Sequence, residues 1–344
     1  MPRRDASRSR RSTIQDVARL AGVSVGTVSR VANANPTVDP ALRGKVQVAI
    51  RSLAYRPSAV AQSMRTAETR LIGCLLSDIG NPLYAAVLRS AETVLAPAGY
   101  TLLVASTDDV IAREIALVAL FASRRVDALV AVPSRERNPK LLAALRDAAV
   151  PLVMMEREMA LPADSIATDH HGSMREATAH LLALGHRRIA LVTGSLETRS
   201  GRDRVGGYQA ALAEQGVAYN AALVRGHSLS SDYAFAETRR WFVGRNRPTA
   251  VIAGGDRLLT GVLRALASLG RAVPEEASVI SSGDTELAEL AAPSITVTRW
   301  DLAAFGRTLA EMLLARLRDR DAPPRSMVLP TELVVRQSTA PRPG

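Results

Sequence analysis

Arg30 closes the stretch whose residue types and spacing are best suited to chemistry, TIQDVARLAGVSVGTVSR over residues 13–30. A guanidinium on a short helix that fits a major groove can give two hydrogen bonds to a base edge. Two helices must position it. Thr13, with Asp16 three residues on, makes a start related to a capping box, and Ile14, Val17, Ala18 and Ala21 follow at helical spacing. Gly22 lets the chain leave the helical region, Val23 is the apolar residue of the turn, and Ser24 caps a second helix whose inward face is Thr27, Val28 and Val31. The stretch reads as a helix-turn-helix, with the first residues of its second helix and Arg30 facing outward.

Such helix pairs also occur as plain core packing with the arginine in water, and charge separates the two readings. Residues 1–66 hold twelve Arg or Lys against three Asp or Glu, a net +9, whereas the rest of the chain holds 32 basic and 30 acidic side chains. The excess positive charge therefore sits beside the helix pair, as phosphate neutralisation requires. With 47% hydrophobic residues, a chain of 344 can fill two or three cores. The single Cys74 lies in an apolar run, which fits a buried thiol in a reducing compartment better than a nucleophile. No basic-then-apolar leader opens the sequence and no run reaches eighteen apolar residues, so a cytoplasmic location without membrane contact is expected.

Other patterns with a chemical look fail on context. GVSVG over 22–26 matches G-x-S-x-G, but a nucleophile elbow needs a strand before the serine, and here a helix stands on both sides. No G-x-G-x-x-G follows a strand, and the sequence has no G-K-[ST] phosphate loop, no H-E-x-x-H and no cysteine pair. Adjacent His170 and His171 cannot share a helix face, and His180 and His186, flanking a helix end, read as structural. No metal, cofactor or enzymatic activity is expected.

Residues 1–12 read as a disordered basic arm. A third helix over about 41–52, behind Asp39-Pro40, completes a headpiece of residues 13–56. Within 57–69, Pro57 and Ser58 open a helix of barely two turns, too short to stand alone, which reads as a fixed linker or as a hinge that orders on DNA. From Arg70 onward, strands near 71–76, 100–105, 126–132, 151–155 and 166–167 alternate with helices. A second unit repeats the layout, with strands near 188–192, 223–225, 250–253, 278–280 and 295–298, a helix after Arg204 to about 214, and a last strand over 328–335. The expected fold class is α/β: two tandem doubly wound parallel-sheet subdomains, 70–168 plus 299–326 and 169–298 plus 327–340, behind an all-helical helix-turn-helix headpiece and hinge helix. A ligand belongs in the cleft at the carboxyl ends of their strands.

With these parts in order, the sequence resembles the LacI/GalR family of bacterial transcription regulators from about Ser12 to Ala340. The resemblance is carried by Asp16-Val17-Ala18, Ala21-Gly22-Val23-Ser24, Thr27-Val28-Ser29-Arg30-Val31, Asn33, Tyr55-Arg56-Pro57, Asp78-Ile79, Asn81-Pro82, LGHRRIA over 184–190, Leu329-Pro330 and Glu332-Leu333. It implies a periplasmic-binding-protein-like core, a homodimer, a near-palindromic operator and a small-molecule effector between the lobes, more often of a repressor. It places Val25, Gly26 and Arg30 at base-reading positions and Thr13, Ser24, Thr27 and Ser29 on phosphates. Tyr55, Ser58, Ala61 and Met64 belong to its headpiece-hinge contacts with DNA, Ala61 on the minor-groove floor and Met64 as a wedge where leucine is usual.

In the cleft the resemblance implies Leu83, Tyr84, Arg157, Thr198, Ser200, Arg204, Asp256 and Asp284. The sequence departs from the family there. Gly255-Asp256 stands for the usual Asn-Asp, Ser281-Ser282-Gly283-Asp284 for the usual Gly-Phe-Asp-Asp, and Ser228 for an aromatic that often stacks on a sugar. Losing an amide, a carboxylate and a ring while keeping Arg204 moves the expectation from a neutral hexose to an anion such as a sugar acid, with Arg157 as a second cation. The alternatives are a sugar-sensing binding protein without DNA function and an enzyme using the cleft. The basic headpiece argues against the first, and the lack of a poised acid, base or nucleophile against the second. No leucine-heptad tail follows the last strand, so a coiled-coil tetramer is not expected.

Overall fold

In the computed structural model, which describes residues 12–32, 35–55, 68–244 and 246–342, Thr13 starts the first helix as its sequence predicts. It caps α1 (Ile14–Ala21): its hydroxyl accepts from Asp16 N at 3.3 Å while Asp16 Oδ2 accepts from Thr13 N at 2.9 Å. Gly22 ends the helix at φ 64°, a left-handed conformation that glycine adopts without a Cβ clash. Ser24 Oγ accepts from Thr27 N at 3.2 Å where α2 (Val25–Ala32) begins, and Asp39 caps α3 (Pro40–Ser52). Fully buried Val17, Val28 and Val46 meet with Ala18, Val31 and Ala49 at the centre. Ser12, assigned to the arm by sequence, belongs to this unit, because its hydroxyl donates to Leu53 O at 2.8 Å. The predicted hinge helix and the rest of the arm lie outside the described residues. The chain divides into two units after Thr69.

The second unit begins with β1 (Leu71–Leu76), α4 (Pro82–Leu95), β2 (Thr101–Ser106), α5 (Ile111–Ser123), β3 (Ala128–Ala131), α6 (Pro139–Asp147), β4 (Leu152–Met155) and β5 (Asp164–Thr168). A second lobe follows with α7 (His170–Ala183), β6 (Ile189–Thr193), α8 (Arg199–Glu214), β7 (Val224–Gly226), α9 (Ser231–Val243), β8 (Ala250–Ala253), α10 (Asp256–Ser268), β9 (Ser278–Ser282), α11 (Glu286–Leu290) and β10 (Thr296–Arg299). Then α12 (Leu302–Arg318) and β11 (Ser326–Leu329) return to the first lobe, and β12 (Glu332–Val334) to the second. The sheet orders are β11-β5-β4-β3-β1-β2 and β12-β10-β9-β8-β6-β7, parallel throughout except that β12 runs against β10. Strand alternation feeds a core on each face. In β1, Ile72, Cys74 and Leu76 pack under α4 and α12, while Leu75 packs under α5 and α6.

Three boundaries differ from the sequence reading. The stretch read as one strand over 328–335 is two strands in two sheets. Met327 pairs with Ile166 and Leu329 with Thr168 in the first lobe, so 327–329 belong there and not to the second; the chain crosses at Pro330, which has no amide hydrogen to continue a ladder. Arg299 pairs with Glu332 in the second sheet, so the lobe boundary falls after it. Helix α8 starts at Arg199, ahead of the predicted start, and its glycines serve packing: a Cβ at Gly207 would stand 2.1 Å from His171 O, where α7 and α8 touch.

The structural readings of Cys74 and His186 agree with their surroundings. Burial pushes the Cys74 thiol up to about 12, and fully buried His186 is held by Thr249, Ser278 and Ala340 O. The return of α12 to the first lobe is fastened by a buried ion pair. Arg316 donates to both oxygens of Asp164 at 3.0 and 2.8 Å and to the carbonyls of Arg320 and Pro323, and Arg325 N adds a bond to Asp164 at 2.8 Å. Burial alone would raise the Asp164 carboxyl, but the bonds from Arg316 and Arg325 N outweigh it and hold the group below the usual carboxylate range.

A depressed carboxyl stabilises the fold above its unfolded value of about 3.9 and loses that contribution as the pH falls below it. Arg316→Met should therefore lower unfolding free energy at pH 7 by about 3 kcal/mol in urea melts, by leaving Asp164 buried and unpaired. The gap to wild type should narrow below about pH 4. A gap under about 1 kcal/mol at pH 7 would show that the pair contributes no more than an exposed one.

Candidate nucleic-acid interface and interlobe cleft

Helix α2 divides its two turns between core and solvent. Val28 and Val31 are buried, whereas Ser24, Val25, Gly26 and Arg30 are exposed, with Thr27 and Ser29 at the margin. Gly26 leaves the surface open beside Arg30: a Cβ there would stand 3.8 Å from Arg30 Nη2 and 3.6 Å from Ser24 Oγ. Thr13 is exposed one helix away, Ser24 Oγ lies 3.0 Å from Thr27 Oγ1, and Tyr55 is half-buried against the headpiece core. Hydroxyls, an apolar side chain and a guanidinium thus share the outer surface of one small unit, the set that phosphate positioning and base-edge contact require. Ser58, Ala61 and Met64 lie outside the described residues.

In the second unit, a cavity opens between the lobes, with about 610 Å3 of empty space including its mouth. Asn81 caps α4 by accepting from Leu83 N at 3.0 Å, and with Pro82 in the first turn it sets Leu83 and Tyr84 into the wall. The end of β4 supplies Glu156 and Arg157, the start of α7 supplies His170, and Trp300 comes from the crossover before α12. From the second lobe come Ser200 and Arg204, four residues apart on one face of α8, with Leu229, Asp256 and Ser282.

The electrostatics centre on Glu156. Its carboxylate accepts from Thr168 Oγ1 and meets His170 Nε2, both at 2.7 Å. Burial would raise its pKa, but His170, Thr168 and the Arg204 charge together bring it down to about 2. Burial lowers Arg204 to about 10 despite the opposing Glu156 charge. Burial, with the Arg204 charge beside it, also lowers His170. Arg157 is engaged with the protein: Nε donates to Pro133 O at 2.6 Å, and Nη1 to Glu156 O at 2.8 Å and Ser200 Oγ at 3.3 Å.

Of the residues expected in the cleft, Leu83, Tyr84, Arg157, Ser200, Arg204 and Asp256 converge on the cavity. Thr198 and Asp284 do not. Thr198 caps α8 and donates to Ser195 O at 2.8 Å, while Asp284 is gripped by both terminal nitrogens of Arg336 at 2.8 Å. Arg204 sits in the second turn of α8, not at its start. Gly283 explains the missing aspartate: it has φ 104°, and a Cβ there would come within 2.8 Å of Leu83 Cδ1.

Sequence reasoning missed Glu156, His170, Trp300 and Ser282 as lining residues. A non-glycine residue at φ 60°, as Glu156 is, marks a constrained position, but that signal exists only in the fold. Ser228, read as the vacant aromatic position, lies in a neighbouring recess with Asp78 and Asp109, and the rings that line the cavity, Tyr84, Trp300 and Phe305, come from other elements. Among the described residues there is no metal-binding cluster, and no helix is long and apolar enough to cross a membrane.

Residues 13–58 match the family described as "Bacterial regulatory proteins, lacI family", and residues 178–339 match a "Periplasmic binding protein-like domain". The chain is 31% identical over 328 residues to the HTH-type transcriptional repressor PurR of Photobacterium profundum, covering 95% of this chain and 98% of that protein. It is 33% identical over 339 residues to the HTH-type transcriptional regulator CelR of Thermobifida fusca, covering 96% and 99%. Among solved structures, a lac repressor dimer bound to operator and the anti-inducer ONPF superposes with TM-score 0.84 at 28% identity, covering 96% of this chain and all of that one. A CelR–cellobiose complex superposes at 0.72 with 31% identity, covering 95% and 100%. The helix-turn-helix headpiece and the two-lobed cleft on one chain are those of a known family: the chain belongs to the lacI family of bacterial regulatory proteins.

Proposed function

We propose that the protein is a cytoplasmic, homodimeric transcriptional repressor that reads a near-palindromic operator and is released from or held on it by a small molecule in the interlobe cleft. The observation that carries the DNA reading is the outward row Val25, Gly26 and Arg30 on a helix whose other face is core, in the part of the chain that holds the positive charge. Arg30 reads a guanine, Val25 offers apolar contact to a thymine methyl, and Thr13, Ser24, Thr27 and Ser29 set the register on phosphates. Tyr55, Ser58, Ala61 and Met64 serve the hinge contacts, with Met64 as the wedge. The cleft binds its ligand and does not transform it.

The effector is a sugar or, favoured by the charges, a sugar acid. Two guanidiniums, Arg157 and Arg204, line the cavity with two carboxylates: Glu156, which is already saturated by Thr168 and His170, and Asp256, which accepts from the Thr285 hydroxyl. Arg157 gives Nε and Nη1 to carbonyls, so we assign Arg204 as the anchoring cation. Leu83, Tyr84, Ser200 and Asp256 shape and hydrogen-bond the remainder, while Thr198 and Asp284 act from behind by holding α8 and the loop after β9.

Arg30→Ala should weaken binding to the operator selected from a random DNA pool by about 1–3 kcal/mol and relax preference at one position per half-site, with little change in salt slope. An equal loss on all sequences would make Arg30 a phosphate contact. In a thermal-shift screen, a sugar acid at about 100 times its Kd should stabilise the native chain by about 2.7 kcal/mol, and Arg204→Ala should abolish the effect. Stabilisation by a neutral sugar or purine, undiminished in that variant, would refute the anionic assignment.

A further inference from the structure

Three polar atoms on cavity-lining residues have no hydrogen-bond partner among the described residues: Arg204 Nε, His170 Nδ1 and Ser282 Oγ. Their residues are only 8%, 3% and 2% exposed, and all three line the cavity. The hydrogen-bond pattern fixes what two of them want. Glu156 takes Thr168 Oγ1 on one oxygen and His170 Nε2 on the other, and an ionised carboxylate only accepts. Nε2 therefore carries the hydrogen. In the neutral imidazole, favoured by burial beside the Arg204 cation, Nδ1 is then a lone pair that accepts. Arg204 Nε is the reverse, a donor only. Trp300 stands edge-on to the His170 ring, centroids 6.3 Å apart, and keeps that side of the cavity apolar.

We infer that His170 is the residue that sets effector specificity: its Nδ1 accepts from a hydroxyl of an acid whose carboxylate is held by Arg204, so the cleft takes a hydroxy acid and rejects the oxo or deoxy analogue. The inference rests on the cleft being the effector site. An oxo group at the His170 position brings only acceptors and faces a lone pair, and a hydrogen there leaves a buried acceptor unmet. Ser282 Oγ, which donates or accepts, fits a further ligand oxygen of either kind. Discrimination of this sort is strong because the protein's own polar atom is stranded when the wrong ligand binds.

The test uses the full chain with D-gluconate, D-galactonate, D-glucuronate and D-galacturonate, read by tryptophan fluorescence at a temperature where circular dichroism shows every variant folded. For the tightest binder, each hydroxyl is replaced in turn by hydrogen, and the series is titrated into wild type, His170→Phe and His170→Gln. One deoxy acid should bind wild type about tenfold more weakly than its parent, the size of one hydrogen bond. His170→Phe should bind that pair equally, and His170→Gln, which keeps an acceptor oxygen and an N–H for Glu156, should regain part of the difference. Equal deoxy losses in wild type and the Phe variant would overturn the role of His170, with the cleft reading intact if Arg204→Ala still abolishes binding. Silence from all four acids beside a response to a neutral sugar overturns the inference as well. An acid whose binding ignores both Arg204→Ala and His170→Phe would remove the effector from the cleft and take the parent reading with it.

Discussion

One carboxylate, its side chain only 12% exposed, organises the cleft. Glu156 follows β4 directly at φ 60°, a conformation that costs a non-glycine residue about 1–2 kcal/mol, and it is held there by its amide donating to Ile166 O at 2.8 Å. An anion so placed must be surrounded by donors, because an unpaired buried charge costs several kcal/mol. The surroundings obey: Thr168 N and Oγ1 from the end of β5, His170 from the start of α7, and the field of Arg204 from α8. The tautomer of His170 and the persistence of a charged Arg204 in a dry wall both follow from that charge. Arg157, the next residue, turns its guanidinium back to the backbone carbonyls of Pro133 and Glu156.

The helix that brings Arg204 is clasped from the opposite lobe. Glu136, 3% exposed in the connection between β3 and α6, accepts from the amides of Glu158 at 3.0 Å and Arg199 at 2.7 Å and from Arg202 Nη2 at 2.9 Å. A carboxylate at the first turn of α8 also opposes the positive end of the helix dipole. Asp78 and Arg257 make a second bridge between lobes, but both are substantially exposed and an exposed pair contributes little. Binding geometry at Ser200 and Arg204 is thereby tied to the distance between lobes, which is what a ligand must alter to act at a distance.

The headpiece meets a different constraint, that of size. Helices of eight residues do not persist in water without tertiary support, so the outward row on α2 exists only because Val28 and Val31 on its other face join Val17 and Val46. Gly26 lowers helix propensity at the middle of this surface, yet the missing side chain leaves the space beside the Arg30 guanidinium clear.

The local parts were legible in the sequence. Thr13 with Asp16, Gly22, Ser24 and Asp39-Pro40 act through neighbours three or four residues away, so their types alone determined the caps, the turn and the outward position of Arg30. Strand type, the doubly wound repeat and the fate of Cys74 were legible for a similar reason, since apolar runs declare burial wherever the chain later places them. Only the tertiary structure decided that Met327 to Leu329 pair with β5 while Glu332 to Val334 pair with β10, that Asp284 answers Arg336, and that Glu156, His170 and Trp300 join Arg204 at one cavity. These contacts join segments from dozens to more than a hundred and fifty residues apart, across the three crossovers between lobes. Periodicity records which face of an element is buried but not which element will cover it, so the partners of a buried charge become known only when the chain has closed around it.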